Sequence, residues 1–121
     1  MANGLVNFGT TMSNPDLNTL IIEADQAKQL MQEDPESVFI IDVRSPEEYA
    51  QMHIPEAVNI PLAELKDRAA EIPADRLIIS TCHAGGNRSR IGAETLQEMG
   101  FTNAAKLDGG TCAWLGVEVK R

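Results

Sequence analysis

The sequence predicts an α/β fold: a central, mainly parallel sheet flanked by helices. Two observations carry this. The continuous apolar run "VFII" at 38–41 suits a strand buried on both faces of a parallel sheet, and "RLIIST" at 76–81 reads as another buried strand. Between such runs lie segments of about ten residues with helical spacing, and strands alternating with helices imply parallel pairing.

Each element has its own signature. Residues 1–17 are rich in Asn, Gly, Thr and Ser without an apolar period, and read as a flexible tail ahead of a domain at 18–121. "TLII" is a short strand. In the helix that follows, Ala24, Ala27, Leu30 and Met31 share one face. After the strand "SVFIID", Ser45 is placed to cap a helix, with Pro46 at its first position and Glu48 three residues on. "AVNIP" reads as a short strand closed by Pro61, "LAELKDRAAEI" as a helix, and "RLIIST" as another buried strand. A helix from Arg88 or Ser89 ends at Gly100, a natural left-handed cap. "NAAKLDGG" supplies the last strand and a turn, and "TCAWL" a helical turn.

Composition bounds the function. A chain of 121 residues with 43% apolar content is one globular domain, and with only 4% aromatic residues its core rests on aliphatic side chains. Eighteen acidic residues against 10 basic ones disfavour a nucleic-acid role. The excess is lopsided: residues 1–80 carry 14 acidic and 5 basic side chains, a net of −9, whereas residues 81–121 carry 4 and 5, a net of +1. The second part would therefore repel an anion less. There is no basic, apolar leader before Lys28 and no apolar run long enough to cross a membrane. Two cysteines without an export signal indicate reduced thiols. The expectation is a soluble, cytoplasmic protein acting on neither nucleic acid nor membrane.

The stretch that points to chemistry is "STCHAGGNRSR". Cys82 follows a central strand directly and precedes a helix start, where ligands of open α/β sheets bind. Unpaired amides and partial positive charge at the helix start attract anions. Gly85 and Gly86 can take positive φ and let N–H groups converge without obstruction. A thiolate there is nucleophilic near neutral pH, and Arg88 can offer an oxyanion a planar, charged fork. The other reading of Cys82 is a small buried core residue.

Four ordered stretches resemble the rhodanese-homology family of sulfurtransferases: "IIDVRSPEEYAQMHIPEAVNIPL", "CHAGGNRS", "AETLQEMGF" and "LDGGTCAW", together covering about residues 20–121. Met52 and Glu56 stand where that family commonly has glycine. The resemblance implies a three-layer rhodanese-like fold with Cys82 and Arg88 as catalytic residues. It also implies a loop of His83, Ala84, Gly85, Gly86, Asn87 and Ser89 against the substrate.

The loop departs from the family in length. It runs Cys82, five residues, Arg88, where a single-domain rhodanese has four, and Gly86 looks like the insertion. Cys-x5-Arg is also the spacing of cysteine-dependent phosphatases and some arsenate reductases. Three functions stay open. The first moves a sulfane sulfur from thiosulfate or a persulfide through Cys82 to cyanide or a thiol, with a sulfur-carrier protein as a further candidate partner. The second forms a phosphocysteine or reduces arsenate. A phosphatase needs an acid for its leaving group; no Trp-Pro-Asp loop is present, Thr81 rather than His precedes the cysteine, and His83 and Asp108 are the unmarked candidates. The third is a non-catalytic binding module.

The remaining residues take supporting parts. Asp42 and Arg44 are expected to orient backbone or to pair with each other or with Glu48, and His53 to make structural hydrogen bonds. Arg90 falls on the site's rim or in solvent. Cys112 is either a small filler beside Trp114 or a thiol resolving a Cys82 persulfide. Neither zinc-ligand spacing nor a nucleotide-binding loop is present, so no metal and no cofactor is implied.

Overall fold

The computed structural model describes residues 20–118, so the tail expected at 1–17 lies outside the described residues. Five strands form the sheet: β1 (Leu20–Ile22), β2 (Val38–Asp42), β3 (Val58–Asn59), β4 (Leu77–Thr81) and β5 (Ala104–Leu107). Their spatial order is β1-β5-β4-β2-β3 and every pairing is parallel. Among the described residues four α-helices accompany them: α1 (Ala24–Glu33), α2 (Pro46–Gln51), α3 (Asn87–Glu98) and α4 (Gly110–Leu115).

The apolar runs explain the centre. All five residues of β4 are buried, and β2 pairs with β4 over its whole length, Val38 opposite Leu77 through Asp42 opposite Thr81. The sheet splits the core into two clusters. Ile22, Ala27, Ile40, Ile54, Leu77, Ile79 and Leu107 pack on one face; Ile41, Val43, Ile60, Leu65, Ile78 and Leu96 pack on the other.

The helix ends follow the expected chemistry. At α2 the Ser45 hydroxyl accepts from the Glu48 amide at 3.2 Å, and the Glu48 carboxylate accepts from the Ser45 amide at 3.1 Å, a reciprocal capping box. At the end of α3, Gly100 takes φ 106°, and the amides of Gly100 and Phe101 return to the carbonyls of Gln97 and Leu96.

One expected helix is absent. The segment "LAELKDRAAEI" forms two 3₁₀ turns, Leu62–Glu64 and Ala69–Glu71. Its first residue is tied down, the Leu62 amide donating to the Val43 carbonyl at 3.1 Å. Arg68 at φ −112° and ψ 23° then leaves the helical region and divides the segment. Burial of Leu65 and Ile72 under the sheet therefore proceeds through i→i+3 turns and not a continuous helix. Among the described residues no helix is long and apolar enough to cross a membrane.

Candidate active site

With all strands parallel, the carboxyl ends of β2, β4 and β5 open on the same edge. The chain leaves β4, the middle strand, at Thr81, so the next residue, Cys82, stands at the centre of that edge. The loop then turns back into α3, whose N-cap is Gly86 and whose first residue is Asn87, one position earlier than the spacing suggested.

The loop is seated on the turn that follows β5. The Thr111 amide donates to the Cys82 carbonyl at 2.9 Å and the Cys112 amide to the His83 carbonyl at 3.0 Å. Contact here is backbone on backbone. A Cβ on Gly110 would stand 2.5 Å from the Gly85 nitrogen and 2.8 Å from the Cys82 carbonyl oxygen, and one on Gly85 would stand 2.6 Å from the Gly109 nitrogen. Gly85 at φ 81° and Gly110 at φ 64° are thus required both by conformation and by space. Gly86 corrects the expectation that both loop glycines take positive φ: it sits at φ −88°, and a Cβ there would meet nothing within 4 Å.

Cys82 is 3% exposed. Burial pushes its thiol up, and this is the largest single influence; the Ser89 hydroxyl at 3.3 Å and the amides of Ser89, Gly86 and Gly85 oppose it and together hold the thiol below its ordinary value. The sulfur is therefore enclosed yet supplied with donors on its loop side. Lys106 reaches the same loop from β5, its Nζ donating to the Gly85 carbonyl at 2.7 Å.

Arg88 is placed differently from a free anion fork. Its two terminal nitrogens donate to the two oxygens of Glu48 at 2.8 and 3.2 Å, across the mouth of the site. Arg88 pulls the Glu48 carboxyl down to about 2 from its ordinary 4.5, with partial burial opposing and the Ser45 amide assisting. A cleft of about 600 Å³ opens here, lined by Arg44, Glu48, Met52, His83, Arg88 and Val117 among others.

Of the expected supporting residues Arg44 lines the cleft, and Asp42 and His53 hold the segments around it. Asp42 and Arg44 form a buried pair, Nε and Nη2 of the arginine lying 2.9 and 2.8 Å from the carboxylate oxygens. Arg44 Nη2 also donates to the Met52 carbonyl at 2.6 Å, and the Asn59 amide group to the carbonyls of Asp42 and Arg44. His53 holds the same segment from behind: its Nδ1 lies 2.7 Å from the Tyr49 carbonyl, and its ring stacks on that of Tyr49 at 3.8 Å. His53 thus meets the backbone carbonyl and the ring of Tyr49.

The other candidates separate. Ser89 is buried against the sulfur; half-buried Ala84 completes the turn; Asn87 is exposed and accepts from Arg90 at 3.0 Å. Arg90 is also paired with Glu94 at 3.1 Å. His83 lines the cleft, with Cys112 Sγ buried 3.6 Å from its Nε2, and both cysteines are free thiols. Two contacts escaped sequence reasoning, the Glu48–Arg88 pair and that of Lys106 with the loop. The Glu48–Arg88 pair joins residues 40 apart and has no local signal. Lys106 had one: a charge inside a strand between buried Ala105 and Leu107.

Residues 23–116 match the model of the family described as rhodanese-like domain. The chain belongs to the rhodanese-like family. A sulfurtransferase of Allochromatium vinosum is 37% identical over 81 residues, covering 67% of this chain and 75% of that protein. The thiosulfate sulfurtransferase of Pseudomonas aeruginosa superposes with a TM-score of 0.70 at 32% identity, over 85% of this chain and 20% of its own. The Bacillus subtilis protein YrkF, provisionally named a sulfur carrier protein, is 39% identical over 95 residues, which is 78% of this chain and 50% of YrkF. This rhodanese-like chain thus spans half the length or less of some of the relatives it matches. Its sulfurtransferase relatives and its parallel five-stranded sheet agree with the resemblance carried by its four motifs.

Proposed function

We propose that this rhodanese-like domain is a sulfurtransferase in which Cys82 carries the sulfur. The observation that supports it most is the enclosed sulfur of Cys82, held below its ordinary pKa by the Ser89 hydroxyl and three loop amides. The thiolate attacks the outer sulfur of thiosulfate or a persulfide; the S–S bond breaks, and its electron pair leaves on sulfite or on a thiolate. Cys82 then holds a persulfide, whose terminal sulfur receives the loop hydrogen bonds. Cyanide or a thiolate attacks that outer sulfur and restores the Cys82 thiolate. Sulfite departs as a stable anion, so no general acid is needed.

Arg88 has to leave Glu48 before it can meet a donor anion, so Glu48 competes with the donor for the guanidinium. A sulfur-carrier protein is a further acceptor, a reading supported by the name of YrkF. A cytoplasmic setting accords with two free thiols.

The rival is phosphate or arsenate chemistry, favoured by the Cys82-x5-Arg88 spacing. Incubation with thiosulfate followed by intact mass decides. One added sulfur on the wild type, absent from Cys82→Ala, is the expected result. No adduct, with turnover of p-nitrophenyl phosphate or arsenate, overturns the proposal in favour of the rival; no adduct and no turnover leaves a binding module.

A further inference from the structure

Gly85 and Gly86 are joined by the peptide group least restrained by its own side chains, because neither flanking residue has a Cβ. That peptide has two useful ends. Its N–H, on Gly86, is one of the donors to Cys82, and its C=O, on Gly85, accepts from Lys106 Nζ at 2.7 Å. No cis peptide occurs among the described residues, so the two ends point in opposite directions. A rotation of this plane would withdraw the N–H from the sulfur and turn a carbonyl oxygen towards it.

We propose that Lys106 is a positioning residue for Cys82, anchoring the Gly85 carbonyl so that the Gly86 amide stays aimed at the sulfur. The sheet places it there. Lys106 stands opposite Ser80 in the β4–β5 register, two residues before Cys82, and its half-buried side chain rises beside the strand that ends at the site. An ammonium on the oxygen also polarises the amide and makes its N–H a stronger donor.

The other ionisable groups around the loop meet it elsewhere. Arg88 faces Glu48, Arg44 faces Asp42, and His83 lies against Cys112. Asp108 follows β5 directly, and its amide is bound to the Ile22 carbonyl.

The inference rests on the Cys82 reading but is tested without a sulfur donor. Ultraviolet absorbance of the Cys82 thiolate is titrated against pH in the full chain, with matching Cys82→Ser variants subtracted to remove Cys112. Lys106→Met moves the midpoint upward, and Lys106→Arg, which keeps charge and donor, restores it. Persulfide loading near neutral pH slows about three- to tenfold in Lys106→Met, the scale of one weakened hydrogen bond to a charged group, and recovers as pH rises. An unchanged titration in Lys106→Met overturns the proposal, whatever happens to loading. An upward shift equal in Lys106→Arg overturns it too, because packing rather than the donor would then be responsible. If Lys106→Met does not fold, Lys106→Leu, which likewise has neither charge nor donor, takes its place, and the same upward shift is required. Absence of sulfur loading on the wild type, with the titration shift present, removes the sulfurtransferase reading and leaves Lys106 in its role.

Discussion

When Cys82 is a thiol, its proton lies towards Ser89 Oγ at 3.3 Å, while the Ser89 hydroxyl donates to the Gly86 carbonyl at 3.1 Å. When Cys82 ionises, that hydroxyl can turn and donate to the sulfur instead, because a hydroxyl proton rotates to suit its partner. Ser89 thus favours the charged form, because a hydroxyl donated to a thiolate is stronger than the weak S–H bond of the neutral form. Ser89→Ala should slow sulfur loading from thiosulfate near neutral pH by roughly tenfold, about 1.5 kcal/mol, the size of a hydrogen bond to a charged group. Loading rates measured across pH check this. The deficit should shrink as rising pH ionises the thiol by itself; a pH-independent deficit would point to simple loss of packing. The serine was legible as a loop residue because of its place beside Arg88, but not its contact with the sulfur. That contact depends on where α3 starts, the least determinate feature of a sequence.

At the scale of elements, the site depends on the fit of two glycine-bearing turns, 82–85 against 109–112. Gly110→Ala would put a methyl group 2.5 Å from the Gly85 nitrogen and hold alanine at φ 64°. The variant should lose about 2 kcal/mol or more of stability, from left-handed strain plus displacement of the loop. Denaturant midpoints would show it, and loading should fall in protein that still folds. An alanine at Gly110 with wild-type stability and loading would mean that the two turns do not brace each other. Strands β2 and β4 were legible because short aliphatic runs, four residues at 38–41 and three at 77–79, leave few alternatives in an α/β chain. The segment 62–72 misled because its apolar positions fit a helical period; what divides it is the anchoring of Leu62 on Val43 and the backbone turn at Arg68, neither of which is written in the pattern.

Across the whole molecule, the all-parallel sheet gathers Asp42–Arg44, Cys82 and the glycine turn from three strand ends onto one edge. The net charge of −8 over the chain would repel a donor anion, and the sheet offsets it locally by bringing Arg44, Arg88 and Lys106 to that edge. Two of these three cations are already paired, Arg44 with Asp42 and Arg88 with Glu48. Sequence charge counting could show that the second part of the chain is less acidic. It could not show that its arginine is tied to a glutamate from the first part, since that pairing exists only once α2 and α3 are packed beside the same cleft.

The central claim is that the fold holds the Cys82 thiol below its ordinary pKa, and the thiolate absorbance of the wild-type chain, less that of Cys82→Ser, tests it directly. A depressed thiol is charged above its folded-state pKa and regains its proton as pH falls through that value. The absorbance should therefore appear with a midpoint below the ordinary 9.0 and disappear on acidification through that midpoint. A midpoint at or above 9.0 would mean that burial outweighs the loop's donors, and would contradict the account.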